Sequence, residues 1–200
     1  MSEDTQMTAP HLEPEKGPQR AYFATGCFWG AERRFWSLPG VTSTTVGYMG
    51  GIAESPTYEQ VCTGKTGHAE VVEVLYLPSE VSYVRLLEEF WTMHDPTSLN
   101  QQGGDIGTQY RSAIYTTSPE QMIEAVNTRD AYEEVLLQNG MDKICTEILD
   151  AEKMRYWLAE DYHQRYLEKN PNGYDCHSST GVPFPTMVIS NPATSTAGEK

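Results

Sequence analysis

The chain has 200 residues, 38% of them hydrophobic, and a formal net charge of −14. That size suits one domain, at most two, with a core large enough to fold without a staple. The acidic balance argues against nucleic acid and anionic membranes as partners, because both reward a basic footprint, and no run of about 18 apolar residues is present to span a bilayer.

The first residues, 1–19, are polar and Pro-bearing and read as a disordered tail, as do residues 191–200. One catalytic-sized domain is expected over 20–190, its last part from residue 174 onward free to move. Ala21 to Thr25 is a short strand, followed after Gly26-Cys27 by a helix over Ala31 to Leu38 that stops at Pro39-Gly40. Val41 to Tyr48 is β-branched and strand-like, and Met49 to Thr66 is a long Gly-rich loop. His68 to Leu77 is a Val-rich strand. Ser82 caps a helix whose Leu86, Leu87, Phe90 and Met93 form an apolar face. A second long loop runs from Pro96 to Gln109, and Ser112 to Tyr115 is a strand. Ser118-Pro119-Glu120-Gln121 has the form of a capping box and starts a helix that runs to Gln138. Ile144 to Ile148 is a last strand, and a last helix is expected over Lys153 to Lys169. Strands and helices interleave without strict alternation, which points to a two-layer α+β sandwich with a mixed sheet.

The N-terminus, MSEDTQMTAPHLEPEKGPQR, lacks the basic start and apolar run of a secretory or transit signal, so a cytoplasmic location with reduced thiols is expected. The four cysteines stand at 27, 62, 145 and 176, with no CxxC pair among them. Cys27 is the one with telling neighbours. It sits between Gly26 and Phe28-Trp29-Gly30, where a strand runs into a helix. At a helix start, free N–H groups and the helix dipole favour a thiolate, and the flanking glycines would let a substrate approach the backbone. The competing reading is a buried cysteine with two core aromatics. Glu70 lies at the entry to an apolar strand beside Val71 and Val72, where burial would raise its pKa and keep it protonated. Gly64-Lys65-Thr66 mimics the end of a phosphate-binding loop, but Glu59 stands where that loop requires glycine. No GxSxG, HExxH or calcium-loop pattern occurs, so no metal or cofactor is implied.

Four blocks, GCFWGAERRFW, PTYEQVCTGKTGHAE, GGDIGTQYRSAIY and AEDYHQRYL, closely resemble the peptide methionine sulfoxide reductase A family in order and approximate spacing over residues 20–174. The resemblance implies a ferredoxin-like α/β sandwich with extensive coil, and reduction of the S epimer of methionine sulfoxide, free or within peptides. It implies Cys27 as nucleophile, Glu70 as acid catalyst, and Tyr58 and Tyr110 as phenols that hydrogen-bond the sulfoxide oxygen. It further implies Phe28 and Trp29 as the slot for the substrate methyl, and places Asp105, His163 and Tyr166 at the substrate site, the last two sharing a face of the final helix. Attack on sulfur would leave a Cys27 sulfenic acid, which a second thiol must resolve before thioredoxin recycles the enzyme. Cys176 is the expected resolver, in a tail able to swing, although Asp175 interrupts the family's Gly-Tyr-Cys and no later cysteine follows. A monomer is expected. Two other readings stay open: a papain-like hydrolase pairing Cys27 with His163, and a module that binds methionine-bearing peptides without turnover.

Overall fold

A computed structural model describes residues 17–176 and 178–186; the expected terminal tails lie outside these except for residues 17–19, of which Gln19 already belongs to the first strand. In chain order the elements are β1 (Gln19–Thr25), α1 (Phe28–Trp36), β2 (Val41–Met49), α2 (Tyr58–Cys62), β3 (Ala69–Tyr76), α3 (Tyr83–Met93), β4 (Gln101–Gln102), β5 (Asp105–Ile106), β6 (Ser112–Thr116), α4 (Pro119–Gln138), β7 (Glu147–Asp150), β8 (Trp157–Leu158) and α5 (Tyr166–Lys169). Six strands form one sheet in the order β7-β6-β1-β3-β2-β8, and β4 pairs with β5 in a separate small hairpin.

The inner four strands, β6-β1-β3-β2, pair antiparallel and are linked as β1-α1-β2-β3-α3-β6. This is the split βαβ arrangement of ferredoxin-like folds, with both crossover helices on one face. β7 then adds parallel to β6, which makes the sheet mixed. β1 is central because its side chains are apolar on both faces. Phe23 points to the helices and stacks on Phe35 at 4.8 Å, while Tyr22 and Ala24 join a second cluster on the opposite face. α1 and α3 bury Phe28, Phe35, Leu86, Leu87 and Phe90 against the first face. Met154 and Tyr156 help cover the second.

Helix starts follow their caps. Ser82 and Ser118 accept the backbone N–H of Arg85 and Gln121. Gln121 does not complete the expected reciprocal box; its side chain accepts the Thr117 N–H and donates to the Arg20 carbonyl, tying α4 to β1. The loop expected at 49–66 contains α2, whose full capping box is Thr57 with Gln60. That Thr-x-x-Gln signal is present in the sequence.

Two expected elements are corrected. The strand placed at Ile144 to Ile148 forms later, at Glu147–Asp150. The Ile144 N–H is taken by Glu133 and the Cys145 N–H by the Pro96 carbonyl, so ladder pairing begins only at Glu147 opposite Ala113. The helix expected over 153–169 does not form; only its last turn, α5, is α-helical. Its aromatic residues serve different surfaces: Tyr156 packs on the second sheet face, whereas Trp157 reaches the helical side as β8 pairs with β2. Gln164 extends that edge, accepting the Val46 N–H and donating to the Val46 carbonyl. Arg165 then adopts a left-handed conformation at φ 54°.

β8 comes so close to β2 that a Cβ on Gly47 would collide with the Trp157 carbonyl oxygen and lie 2.6 Å from the Tyr156 ring. Gly47→Ala is expected to cost about 1–3 kcal/mol by overpacking. Urea unfolding should show a lower midpoint at unchanged slope; an unchanged midpoint would mean that β8 is free to retreat.

Candidate active site

Cys27 occupies the N-cap of α1, at the end of β1, and is 8% exposed. The turn that delivers it depends on Gly26, whose φ of +94° suits glycine. A Cβ there would lie 2.6 Å from the Gln102 side chain, so the space at Gly26 serves close packing by Gln102, not substrate approach. Burial is the largest influence on the thiol and pushes its pKa well above the ordinary cysteine value, with the nearby Glu70 adding to it. The Trp29 N–H at the helix start works in the opposite direction and is outweighed. The expectation of a ready thiolate is thereby corrected: the resting group is a thiol.

Glu70 enters from β3, opposite Tyr48 in the ladder with β2. The flanking Ala69, Val71 and Val72 are fully buried, so the strand entry carries the carboxyl into the core as expected. One oxygen, Oε2, accepts the Phe28 N–H at 3.0 Å, which locks the acid against the first turn of α1. Burial raises its pKa to about 8, partly offset by that hydrogen bond and reinforced by Asp105, so the group is a neutral acid at pH 7.

Cys27, Phe28, Trp29, Tyr58, Glu70, Asp105, Tyr110 and Tyr174 line one cavity of about 170 Å³. Seven of these eight are expected site residues. Larger clefts exist, such as one of about 490 Å³ beside the start of α4, but its lining of Thr116 to Pro119, Met122, Asp150 and Glu152 holds no cysteine. Burial raises the Tyr58 and Tyr110 phenols well above their usual pKa, so both remain hydrogen-bond donors. Among the described residues no group of three or more His, Cys, Asp or Glu side chains is arranged to hold a metal ion.

His163 and Tyr166 do not line the cavity; they stand behind Trp29. The Trp29 indole N–H donates to His163 Nδ1 at 3.1 Å, and Tyr166 stacks on the indole at 3.8 Å with 15° between the planes. The two share no helix face, since α5 begins only at Tyr166. His163 is fully buried among Phe28, Trp29 and Tyr58, and burial lowers its pKa against the pull of Glu160 and Glu59. With Nδ1 accepting, the proton of the neutral ring sits on Nε2. His163 is thus committed to Trp29, and the Cys27–His163 couple of a papain-like hydrolase is not assembled.

Two residues of the site escaped the sequence reading. Glu160 accepts the Tyr48 hydroxyl and the Tyr58 N–H, both at 2.8 Å, and so fixes α2 beside the cavity. Burial would raise its pKa, but these hydrogen bonds prevail and hold it low. Tyr174 reaches the cavity with its hydroxyl 3.3 Å from both Asp105 carboxyl oxygens. Glu160 lies within the AEDY block, but nothing in its spacing marks it as a ligand for α2. Cys176 follows Tyr174, half-buried, with its thiol 3.4 Å from the Gln102 carbonyl. The segment is anchored on both sides, by an Arg33–Asp175 ion pair and by the Ser178 hydroxyl on Gln102. Cys62 is exposed beside Tyr58, and Cys145 bonds the Pro96 carbonyl on the far side of β6.

The peptide methionine sulfoxide reductase family model matches residues 19–187. This chain belongs to that family. The peptide methionine sulfoxide reductase MsrA of Methylococcus capsulatus is 57% identical over 173 residues, covering 86% of this chain and 77% of the relative. Methionine sulfoxide reductase A of Corynebacterium diphtheriae superposes with a TM-score of 0.77 at 46% identity, over 83% of this chain and 81% of that one. Mxr1 from Saccharomyces cerevisiae in reduced form gives a TM-score of 0.72 at 35% identity, over 82% and 92%; that protein has also been solved in complex with Trx2. Membership makes the chain an oxidoreductase that reduces methionine sulfoxide, and its α+β sandwich is the fold of these relatives.

The raised pKa of Glu70 has a thermodynamic consequence. The folded state holds a proton that the unfolded state releases near the ordinary carboxyl value of 4.5, so this group's contribution to stability declines as pH rises from there to about 8. Glu70→Gln removes that dependence. Its unfolding midpoint should gain on wild type progressively between pH 5 and 8. Parallel midpoints across that range would show that Glu70 is not held neutral.

Proposed function

We propose that this chain reduces the S epimer of methionine sulfoxide, free or protein-bound, through a Cys27 sulfenic acid resolved by Cys176 and recycled by thioredoxin. One observation carries the reading: a buried carboxyl, kept neutral by that burial, and a buried thiol share one small cavity lined by five aromatic side chains.

The sulfoxide oxygen is a poor leaving group until protonated. Glu70 delivers its proton to that oxygen while the Tyr58 and Tyr110 hydroxyls donate hydrogen bonds to it. Cys27 sulfur attacks the substrate sulfur, and its own proton replaces the one Glu70 gave. The new bond between the two sulfurs and the substrate's own sulfur–oxygen bond then both break as the oxygen passes to Cys27, yielding methionine and a Cys27 sulfenic acid with no net proton uptake. The methyl group sits against Phe28 and Trp29. Fixing the methyl at the aromatic wall, the oxygen at the donors and the peptide toward solvent admits only one hand at sulfur, which the family resemblance assigns as S.

The Cys176 thiol then displaces water from the sulfenic acid to form a Cys27–Cys176 disulfide. Support for Cys176 is its place two residues after Tyr174, which lines the same cavity. Thioredoxin, whose yeast form Trx2 has been solved with Mxr1, is the dithiol that reduces this disulfide.

The test is the assay on separated sulfur epimers with dithiothreitol: methionine should appear from the S form alone, and binding without turnover would leave only a peptide-binding module. Wild-type turnover should decline above about pH 8 as Glu70 ionises. Glu70→Gln should lose that inflection and about 10²–10⁴ in rate; a loss of only a few-fold at neutral pH removes Glu70 as the acid. Cys27→Ser should be inactive. Cys176→Ser should release about one methionine per enzyme and then fail to cycle with thioredoxin. Peptide mapping after a single turnover that finds Cys27 joined to Cys62 or Cys145 would overturn the assignment of the resolver.

A further inference from the structure

α1 presents Trp29, Glu32 and Trp36 at spacings that put them on one stripe of the helix, and each grips the same short turn of chain. Trp29 holds His163 through the indole N–H and Tyr166 through ring stacking. Trp36 lies under the Arg165 guanidinium at 3.9 Å. Glu32, between them, is fully buried, and its carboxyl has two partners. Oε2 accepts the Arg165 N–H at 2.9 Å and Oε1 accepts the Thr44 hydroxyl at 3.1 Å.

The grip at Arg165 matters because this residue is one of three non-glycines with positive φ among the described residues, at 54°. A left-handed conformation at a residue with a Cβ persists only where its surroundings impose it. Here the imposing group is a buried acceptor aimed at the residue's own N–H. The left-handed turn is what aims His163 and Tyr166, one residue after it, back onto Trp29.

We infer that Glu32 is a positioning residue for substrate binding: it fixes the 163–166 turn, and through that turn the plane of the Trp29 indole that walls the cavity. Glu32 itself lies outside the cavity lining. The inference rests on Trp29 being the substrate wall, as in the reading above. A side chain of similar length that can accept the Arg165 N–H keeps the device, and one that cannot loses it. Glutamine qualifies, since its oxygen can take the Arg165 N–H while its amide donates to the Thr44 oxygen. Methionine fills the space but leaves the Arg165 N–H unpaired in the core.

The experiment is single-turnover reduction of a methionine sulfoxide peptide, recording half-saturating substrate and limiting rate separately. Glu32→Met should raise the half-saturation concentration about tenfold while the limiting rate stays within about threefold, because Cys27 and Glu70 are untouched. Glu32→Gln should match wild type. Trp29→Ala alone should raise half-saturation, and adding Glu32→Met to it should change it by less than about twofold, the mark of two residues acting through one path. If Glu32→Met does not fold, Thr44→Val removes one of the two bonds and should give a smaller shift in the same direction. Unchanged half-saturation in the Glu32 or Thr44 variant, failure of glutamine to rescue, or additivity in the Trp29→Ala background would overturn the inference. An unchanged value in Trp29→Ala alone would overturn the aromatic-wall reading and this inference with it.

Discussion

The site depends on one buried hydrogen bond, from the Phe28 N–H to Glu70 Oε2. It joins the first turn of α1 to the entry of β3, two elements 42 residues apart in sequence, and sets the Glu70 carboxyl beside the helix start that carries Cys27. The bond takes one carboxyl oxygen and leaves the other for the cavity that Glu70 lines. A carboxyl so placed cannot readily ionise: burial outweighs the stabilisation that one N–H gives to the charge. Burial likewise keeps Cys27 a thiol, and the neighbouring Glu70 adds to that effect. At rest the two groups that line this cavity both carry their protons.

A second constraint acts on the wall opposite the acid. The chain after β8 is irregular, yet it is tied down by a sequence of part-buried polar contacts. Gln164 completes the sheet edge, Glu160 holds α2 and Tyr48, Glu32 holds Arg165, and His163 and Tyr166 hold Trp29. Regular secondary structure could not do this, because a helix over 153–169 would send its aromatic residues around a cylinder. Here they reach both faces of the sheet and the back of the cavity. The cavity is consequently a junction of three contributions: the β1–α1 turn, the entry of β3, and loops held by the C-terminal part of the domain.

The sheet was legible because its strands are marked by β-branched runs and its helices by caps and apolar faces, as at Val41 to Tyr48 and at Ser82. Ferredoxin-like topology was legible only through the family resemblance. The C-terminal segment was misread as a helix over 153–169 because its aromatic residues give no sign in the sequence that Tyr156, Trp157 and Tyr166 pack against different surfaces while Tyr162 stays largely exposed. Seven of the cavity's residues were legible from the motifs. Glu160, Glu32 and Tyr174 were not, since an acidic residue with a backbone partner over 100 positions away looks solvated in the sequence. The sign of the Cys27 shift was also hidden: the helix start argues for a thiolate, and only burial and the neighbouring Glu70 reverse it.

Glu70 is a neutral acid at physiological pH because it is buried against α1. Carbon-13 NMR titration of the glutamate side-chain carboxyls, with Glu70 assigned by comparison with Glu70→Gln, reads this directly. The account predicts one carboxyl titrating near pH 8, apart from the rest, in the resting enzyme with Cys27 reduced. A Glu70 resonance that titrates with the ordinary carboxylates would contradict it.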